Sequence, residues 1–272
     1  VLLEGVPGVA KTITAKLLSK TLNIGFSRIQ FTPDLMPSDI LGTSIFNLKS
    51  SEFEFKKGPI FSNLILIDEI NRAPAKTQAA LFEVMEERQI TIDGSAYQLE
   101  TPFLVIATQN PIEQEGTYRL PEAQLDRFLF KITIDYPKLN EEILIIQREH
   151  LLQDHGKLEA IKTILSSSEI NNYQALVKQI RVEQNLLEYI ARIVVNTREN
   201  AFLYLGASPR ASIAILNAAK GFAAIRGRDF VTPEDIKEAA IPVLQHRVIV
   251  TPEREMEGIT SSEIIKQIIE TV

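Results

Sequence analysis

The sequence contains no cysteine and no tryptophan, and only three of its 272 residues are histidine. The absence of cysteine excludes disulfides, thiol nucleophiles and zinc–thiolate sites. It is also typical of a reducing compartment, so we expect a cytoplasmic protein. The histidines, His150, His155 and His246, do not form a metal-binding pattern such as HExxH.

Long apolar runs and an excess of positive charge are also missing. No run reaches the roughly 18 apolar residues that a membrane helix requires, so we expect no membrane insertion. The net charge of −6 disfavours binding to nucleic acid or to an anionic membrane. The apolar fraction of 45% and the charged fraction of 24% are typical of a folded globular chain.

The first half of the chain alternates short apolar runs with helical patterns. The apolar runs at 64–67 and 103–107 predict strands that are buried on both faces of a sheet. Residues 11–21 and 77–87 have the apolar spacing of helices. Strands separated by helices predict an α/β fold, an αβα domain with a parallel sheet, over residues 1–155.

Two segments of alternating character interrupt this pattern. The first alternates over 52–55 and is followed by Lys57-Gly58-Pro59, where we predict a turn. The second turns at Asp93-Gly94, a strong hairpin signal between alternating runs. We therefore predict two β-hairpin inserts, at about 45–60 and 88–101.

The second half of the chain is helical in character. Residues 153–172 are polar and predict a linker, and we expect an α-helical lid domain over 173–272. Ser208-Pro209 and Thr232-Pro233 each combine an N-cap residue with proline at the first helical position.

The strongest functional motif lies between the first predicted strand and the first predicted helix. It is the P-loop-like run Gly5-Val6-Pro7-Gly8-Val9-Ala10-Lys11-Thr12. In that context, backbone N–H groups bind a polyphosphate, Lys11 reaches the β- and γ-phosphates, and the Thr12 hydroxyl ligates Mg²⁺. Ala10 stands where glycine usually precedes the lysine, and a plain strand-to-helix turn with an exposed lysine is the alternative.

Polar residues follow two of the predicted buried strands. Asp68 and Glu69 come directly after the run at 64–67, so Asp68 is a candidate Mg²⁺ ligand and Glu69 a candidate base for the attacking water. Asn110 follows the next strand and is a candidate for orienting that water. The structural alternative for the two acids is that they are solvated or cap a helix. For Asn110 it is an ordinary loop asparagine before proline.

Two arginines are candidates for completing a phosphate site. Arg127, just before the last predicted strand, can act on a neighbouring subunit as an arginine finger. Arg210 lies in the first turn of a predicted helix, where it adds to the positive helix dipole over a γ-phosphate. A surface ion pair and an ordinary exposed arginine are the alternatives.

In this order, the motifs resemble Walker A, Walker B, sensor 1, arginine finger and sensor 2 of the AAA+ ATPases, and the chain resembles the MoxR family in particular. The segments that carry the resemblance are 3–8, 68–78, 107–113, 115–118, 120–128, 208–211 and 226–229. Arg119 departs from the family pattern, which usually has proline there, and is a second candidate finger. In the family, residues upstream of the first strand help to hold the adenine. The corresponding positions lie before Val1, so the adenine contacts are not among the residues of this sequence.

The resemblance implies a P-loop NTPase core followed by a helical lid, with ATP and Mg²⁺ at the subunit interfaces of a hexameric ring. It also implies that the two hairpins lie near the central pore. MoxR-like proteins are regarded as chaperones, often working with proteins that carry von Willebrand factor A domains.

We therefore predict an Mg²⁺-dependent ATPase of MoxR type that remodels or matures a partner protein. Two alternatives stay open at this point. One is a chelatase-like motor subunit for metal insertion, and the other is a nucleotide-gated scaffold with little turnover.

Overall fold

The computed structural model of the chain describes residues 1–5, 11–110, 118, 120–151 and 161–272. The described strands are β1 (Leu2–Gly5), β2 (Phe26–Gln30), β3 (Gly42–Asn47), β4 (Glu52–Lys57), β5 (Leu64–Asp68), β6 (Gln89–Ile92), β7 (Ser95–Gln98), β8 (Leu104–Gln109), β9 (Lys131–Ile134), β10 (Leu203–Leu205) and β11 (Ile249–Val250). The described helices are α1 (Lys11–Thr21), α2 (Pro37–Leu41), α3 (Ala75–Glu87), α4 (Glu122–Leu125), α5 (Leu139–Leu151), α6 (Ser167–Gln179), α7 (Gln184–Glu199), α8 (Pro209–Ile225), α9 (Pro233–Leu244), α10 (Pro252–Met256) and α11 (Ser261–Thr271).

A five-stranded sheet in the spatial order β2-β5-β8-β1-β9 forms the centre of the first half. The pairs β2–β5, β5–β8 and β8–β1 are parallel. Every residue of β5 from Leu64 to Ile67 is fully buried, because neighbouring layers cover both faces of this strand. The predicted parallel α/β fold is confirmed.

Two antiparallel hairpins lie outside this sheet, one formed by β3 and β4 and the other by β6 and β7. The second turns at Asp93 and Gly94, which both have positive φ (51° and 77°), as the Asp-Gly pair predicts. The hairpins contact each other, because the rings of Phe55 and Tyr97 lie 4.4 Å apart between centroids. Ser44 Oγ also donates a 2.5 Å hydrogen bond to Asp93 Oδ2.

The predicted turn of the first hairpin is wrong. Asn47 pairs with Glu52, so the chain reverses at residues 48–51, whereas Lys57-Gly58 ends the second strand. Gly58 lies so close to the end of α2 that an added Cβ would be 2.2 Å from Ile40 O and 2.5 Å from Gly42 N, where the first strand begins. This glycine therefore marks tight packing at the base of the hairpin, and not its turn.

Contacts divide the chain into two units. The first contains Val1–Arg119 and Ile132–Asn171, and the second contains Leu120–Lys131 and Asn172–Val272. The predicted domain bounds, 1–155 and 173–272, assign the 120–131 segment to the first domain. Its contacts lie within the second unit because Arg247 binds the side chain of Asp126 there.

The second unit is built mainly of helices around one apolar core. Leu186, Ile190, Ile193 and Val194 give α7 a buried stripe at helical spacing. Ser208 caps α8 as predicted, with its side chain accepting a hydrogen bond from the N–H of Arg210.

The predicted linker at 153–172 is partly helical, because α6 begins at Ser167. Ser166 stands just before this helix, and its N–H and hydroxyl both donate to Glu169 Oε2. The three serines thus belong to the start of a helix. Serine is favoured at helix N-termini as well as in linkers, so the sequence alone does not separate the two. None of the described helices is long and apolar enough to cross a membrane.

Candidate active site

Four parallel strands bring their carboxyl ends to one edge of the sheet. Across neighbouring strands, Gln30 pairs with Asp68, Ile67 with Ala107, and Glu4 with Gln109. The residues that follow these pairs therefore leave the sheet at the same edge, which is where open α/β sheets bind ligands.

The described ends of the P-loop-like motif flank this edge. Gly5 ends β1 and is packed so tightly against β9 that an added Cβ would lie 2.4 Å from Ile134 O. Lys11 begins α1, and its Nζ donates a 2.7 Å hydrogen bond to Gly5 O. The ammonium group is thus held at the carboxyl end of β1. Thr12 lies in the first turn of α1, and the predicted phosphate-binding residues Val6, Pro7, Gly8, Val9 and Ala10 lie outside the described residues.

Asp68 is a buried carboxylate with 7% of its surface exposed. Its Oδ2 accepts a 2.6 Å bond from Arg28 Nε, and its Oδ1 accepts a 3.3 Å bond from the Thr108 hydroxyl. These partners fix the orientation of the carboxylate at the edge of the sheet, and the guanidinium of Arg28 offsets its charge.

Glu69 occupies the left-handed region, with φ 59° and ψ 53°. This conformation is uncommon for a residue other than glycine, and it is found often at functional sites. The Glu69 N–H donates to Thr108 Oγ1 at 3.1 Å, so the same hydroxyl links the backbone of Glu69 to the carboxylate of Asp68.

The Glu69 carboxylate is held by two donors on one of its oxygens. Gln30 Nε2 donates to Oε2 at 2.8 Å, and Arg72 Nε lies 3.2 Å from the same atom. Gln30 ends β2 and Arg72 ends the short 3₁₀ turn after β5. Accepting a proton from water at Oε2 requires at least one of these contacts to open.

Asn110 directly follows Gln109, the last residue of β8. Because Gln109 pairs with Glu4, Asn110 leaves the sheet at the level of Gly5. The first unit therefore brings together Gly5, Lys11, Asp68, Glu69 and Asn110 along one sheet edge.

Arg127 and Arg210 belong to the second unit. Arg127 follows α4, and its N–H donates to Gln124 O at 3.2 Å. Arg210 is exposed in the first turn of α8. The alternative finger, Arg119, lies outside the described residues.

The residues that sequence reasoning missed are the partners of the two acids: Arg28, Gln30, Arg72 and Thr108. Thr108 lies at the end of the predicted strand, in the segment 107–113 that carries the family resemblance, so the period-two alternation of a strand was the available signal. Gln30 and Arg28 gave no such signal, because their position depends on the pairing of β2 with β5.

The described residues fit Mg²⁺ bound together with phosphate oxygens. Within the described part of the chain, no group of three or more His, Asp or Glu side chains could hold a metal alone. Mg²⁺ is typically bound by one or two carboxylates, water and substrate phosphates, and Asp68 with the Thr12 hydroxyl supplies the oxygen atoms for such a site.

Comparisons with known proteins match both units. A model described as the ATPase family associated with various cellular activities (AAA) matches residues 1–130, and an AAA lid domain model matches residues 195–268. The whole chain is 47% identical to YeaC of Bacillus subtilis, an uncharacterized protein, and covers 84% of it. It is also 45% identical over its full length to the chaperone MoxR1 of Mycobacterium tuberculosis and covers 73% of that protein. The crystal structure of a candidate ATPase from Cytophaga hutchinsonii matches with a TM-score of 0.91 at 45% identity, covering 100% of this chain and 84% of that one.

Proposed function

Because the chain belongs to the MoxR family of AAA+ ATPases, we propose that it is an Mg²⁺-dependent ATPase that remodels a protein partner. The observation that carries the proposal is the arrangement of Asp68 and Glu69 around one hydroxyl, that of Thr108, at the sheet edge next to Lys11. A buried acid beside a second acid in a strained backbone suits metal binding and water activation at adjacent positions.

In this proposal each site residue has a separate role in binding or hydrolysing ATP. The motif amides and Lys11 bind the β- and γ-phosphates, and Thr12 and Asp68 hold Mg²⁺. The metal, when bound, offsets the negative charge of these phosphates. Lys11 exchanges its bond with Gly5 O for phosphate oxygens, which are stronger acceptors because they are charged.

Glu69 accepts a proton as the water oxygen attacks the γ-phosphorus, and the bond from that phosphorus to the bridging oxygen of ADP breaks. Asn110 orients the water. Arg127 acts on the site of a neighbouring subunit in a ring, which we propose to be hexameric, and Arg210 acts on the site of its own subunit.

Contact with a protein client is supported by the first hairpin. Phe46 and Phe53 pack edge to face, with centroids 5.2 Å apart, and Phe53 is still 75% exposed. Leu48, in the connecting turn, is 86% exposed. Exposed apolar groups on this hairpin favour an exposed apolar segment of a client polypeptide as the partner.

The experiment is a phosphate-release assay with purified protein, with Mg²⁺ or excess chelator and with or without a permanently unfolded polypeptide. We expect Mg²⁺-dependent release that the polypeptide stimulates, and we expect Phe53→Ser to lose only the stimulation. Tyr204→Ser, at an equally exposed aromatic residue of the second unit, is the matched control. No release in any condition would favour the nucleotide-gated scaffold and contradict the proposal.

A further inference from the structure

Three consecutive side chains after α9 bind the segment that contains Arg127. The contacts are Gln245 Nε2 to Lys131 O, His246 Nε2 to Phe128 O at 3.0 Å, and Arg247 Nη2 to Phe128 O at 2.6 Å. Each of these side chains donates to a backbone carbonyl, so they fix the path of the chain itself. The residues on both sides of Arg127 are consequently attached to the second unit.

Asp126, next to Arg127, is bound by Arg247 through both its side chain and its backbone. Its Oδ1 accepts a 2.7 Å bond from Arg247 Nε, and its backbone carbonyl accepts a 2.9 Å bond from Arg247 Nη2. The side chain of Arg247 is 3% exposed and that of Asp126 is 17% exposed. Breaking a pair buried to this degree leaves an uncompensated charge, so the pair is expected to stay closed.

The second carboxylate oxygen of Asp126 reaches the helix that carries Arg210. Ser208 Oγ donates to Asp126 Oδ2 at 2.9 Å, and the same Oγ accepts the N–H of Arg210 at 3.2 Å. A chain of two hydrogen bonds therefore joins the residue before Arg127 to the backbone of Arg210. Helix capping alone does not require this link, because a serine N-cap needs only to accept from the helix amides.

We propose that Asp126, held by Arg247 and Ser208, is a positioning residue that couples neighbouring ATP sites. The inference rests on the proposed function, in which Arg210 contacts ATP of its own subunit and Arg127 contacts ATP of the neighbour. When ATP draws α8 towards its phosphates through Arg210, the Ser208–Asp126 bond moves Arg127 in the same step. Occupancy of one site is thereby transmitted to the next.

The physical requirement for coupling is that both sites bias one shared element. Here that element is the clamped segment 126–131 with the first turn of α8. The link from Asp126 to α8 passes through the Ser208 hydroxyl, which can be removed without substituting either arginine.

Variants at Ser208 separate the link from the helix cap. Ser208→Ala removes both, whereas Ser208→Asp keeps a good N-cap and places a second carboxylate against Asp126. Ser208→Thr keeps the hydroxyl and is the rescuing variant. Thr260→Ala removes the N-cap of α11, which accepts from Glu263 N–H in the same unit, and is the control for cap loss alone.

The first measurement is amide hydrogen exchange with and without ATP, made in a Glu69→Gln background so that ATP persists. We expect ATP to slow exchange in the first turn of α8 and at residues 126–131 of the parent, of Ser208→Thr and of Thr260→Ala. In Ser208→Ala and Ser208→Asp the response of α8 should remain, and the response at 126–131 should weaken by about fivefold or more. An unchanged response at 126–131 in these two variants would overturn the inference.

The second measurement is the ATP dependence of phosphate release with Glu69 intact. We expect the Hill coefficient to fall towards one in Ser208→Ala and Ser208→Asp, with kcat reduced and the KM for ATP little changed. Thr260→Ala should retain the parent Hill coefficient. A wild-type chain that hydrolyses ATP while residues 126–131 do not respond to ATP would refute the coupling alone, and a chain without hydrolysis would refute the proposed ATPase itself.

Discussion

At the scale of single residues, the candidate site depends on one hydroxyl. Thr108 is 4% exposed, donates to Asp68 and accepts the backbone N–H of Glu69 in its left-handed conformation. The sequence predicted Asp68 and Glu69, because two acids after an apolar run are visible in one segment. It could not predict Gln30 and Arg28 as their partners, because those contacts depend on the register of separate strands.

Replacing Thr108 tests this arrangement. Thr108→Val has nearly the same shape but leaves the Glu69 N–H without its acceptor, which costs about 1–3 kcal/mol of unfolding free energy. We also expect kcat for phosphate release to fall about tenfold, the equivalent of about 1.4 kcal/mol in the barrier, because Glu69 loses its fixed position. Thr108→Ser keeps the hydroxyl and should remain near wild type in both measurements. Equal activity of the valine and serine variants would contradict this role.

His246 predicts a dependence of stability on pH. Burial and the nearby charge of Arg247 lower its pKa from 6.5 to about 3, although the bond to Phe128 O opposes this shift. The unfolded chain takes up a proton below about pH 6.5, whereas the folded protein does so only near pH 3. Stability should therefore fall as the pH drops through this window, by up to about 1.4 kcal/mol per pH unit from this group.

Urea unfolding between pH 4 and 7 measures this contribution. His246→Gln keeps a side-chain N–H for Phe128 O but does not titrate, so its stability should vary less with pH than that of the wild type. His150→Gln, at an exposed position of α5, is the control and should keep the wild-type slope. Identical slopes for the wild type and His246→Gln would contradict the assignment.

At the scale of elements, most strand and helix positions follow from local patterns, and the exceptions have physical causes. The Asp93-Gly94 turn was predictable because its residues favour positive φ. The turn at 48–51 was not predictable, because Gly58 gave a false turn signal. That glycine is required by close packing against Ile40. The start of α6 at Ser167 was missed because serine is common in both linkers and helix starts.

The N-terminus of α9 carries a buried charge cluster that the sequence did not reveal. Asp235 is fully buried and accepts hydrogen bonds from Arg226, Arg228 and the N–H of Thr232. Burial alone would raise the pKa of this carboxyl, but these donors lower it to about 2. Its contribution to stability is therefore complete above about pH 3.8 and is lost as the pH falls towards 2.

We expect Asp235→Asn to lower the free energy of unfolding by about 3 kcal/mol, because two guanidinium groups lose their shared partner. Asp229→Asn is the matched control, since its ion pair with Arg181 is 75% exposed on both sides and should contribute about 0–1 kcal/mol. Urea unfolding at neutral pH measures both. Similar losses of unfolding free energy in the two variants would show that burial does not determine how much the Asp235 cluster contributes to stability.

At the scale of the whole molecule, the order of motifs along the chain predicted the α/β core and the helical lid, and both are confirmed. The place of the 120–131 segment was not predictable. It is bound by Arg247, which lies 121 residues beyond Asp126 in the sequence. Contacts over such separations leave no local pattern, so the bounds 1–155 and 173–272 predicted from the sequence could not anticipate them.

A ring with Arg127 acting on the neighbouring subunit has a consequence for mixed assemblies. Arg127→Ala subunits mixed with wild type should lower activity below the wild-type fraction, because each variant subunit disables the site of its neighbour. The measurement is phosphate release over a series of mixing ratios. Activity strictly proportional to the wild-type fraction would argue against a finger acting in trans.

The measurement that tests the central claim most directly compares ATP binding with ATP hydrolysis in Glu69→Gln. The amide keeps the size of the side chain but cannot accept the proton of the attacking water. We predict ATP affinity within about threefold of the wild type and phosphate release reduced by about 10²-fold or more. Glu83→Gln, at an exposed position of α3, should behave as wild type in both assays. Phosphate release by Glu69→Gln at the wild-type rate would contradict the account.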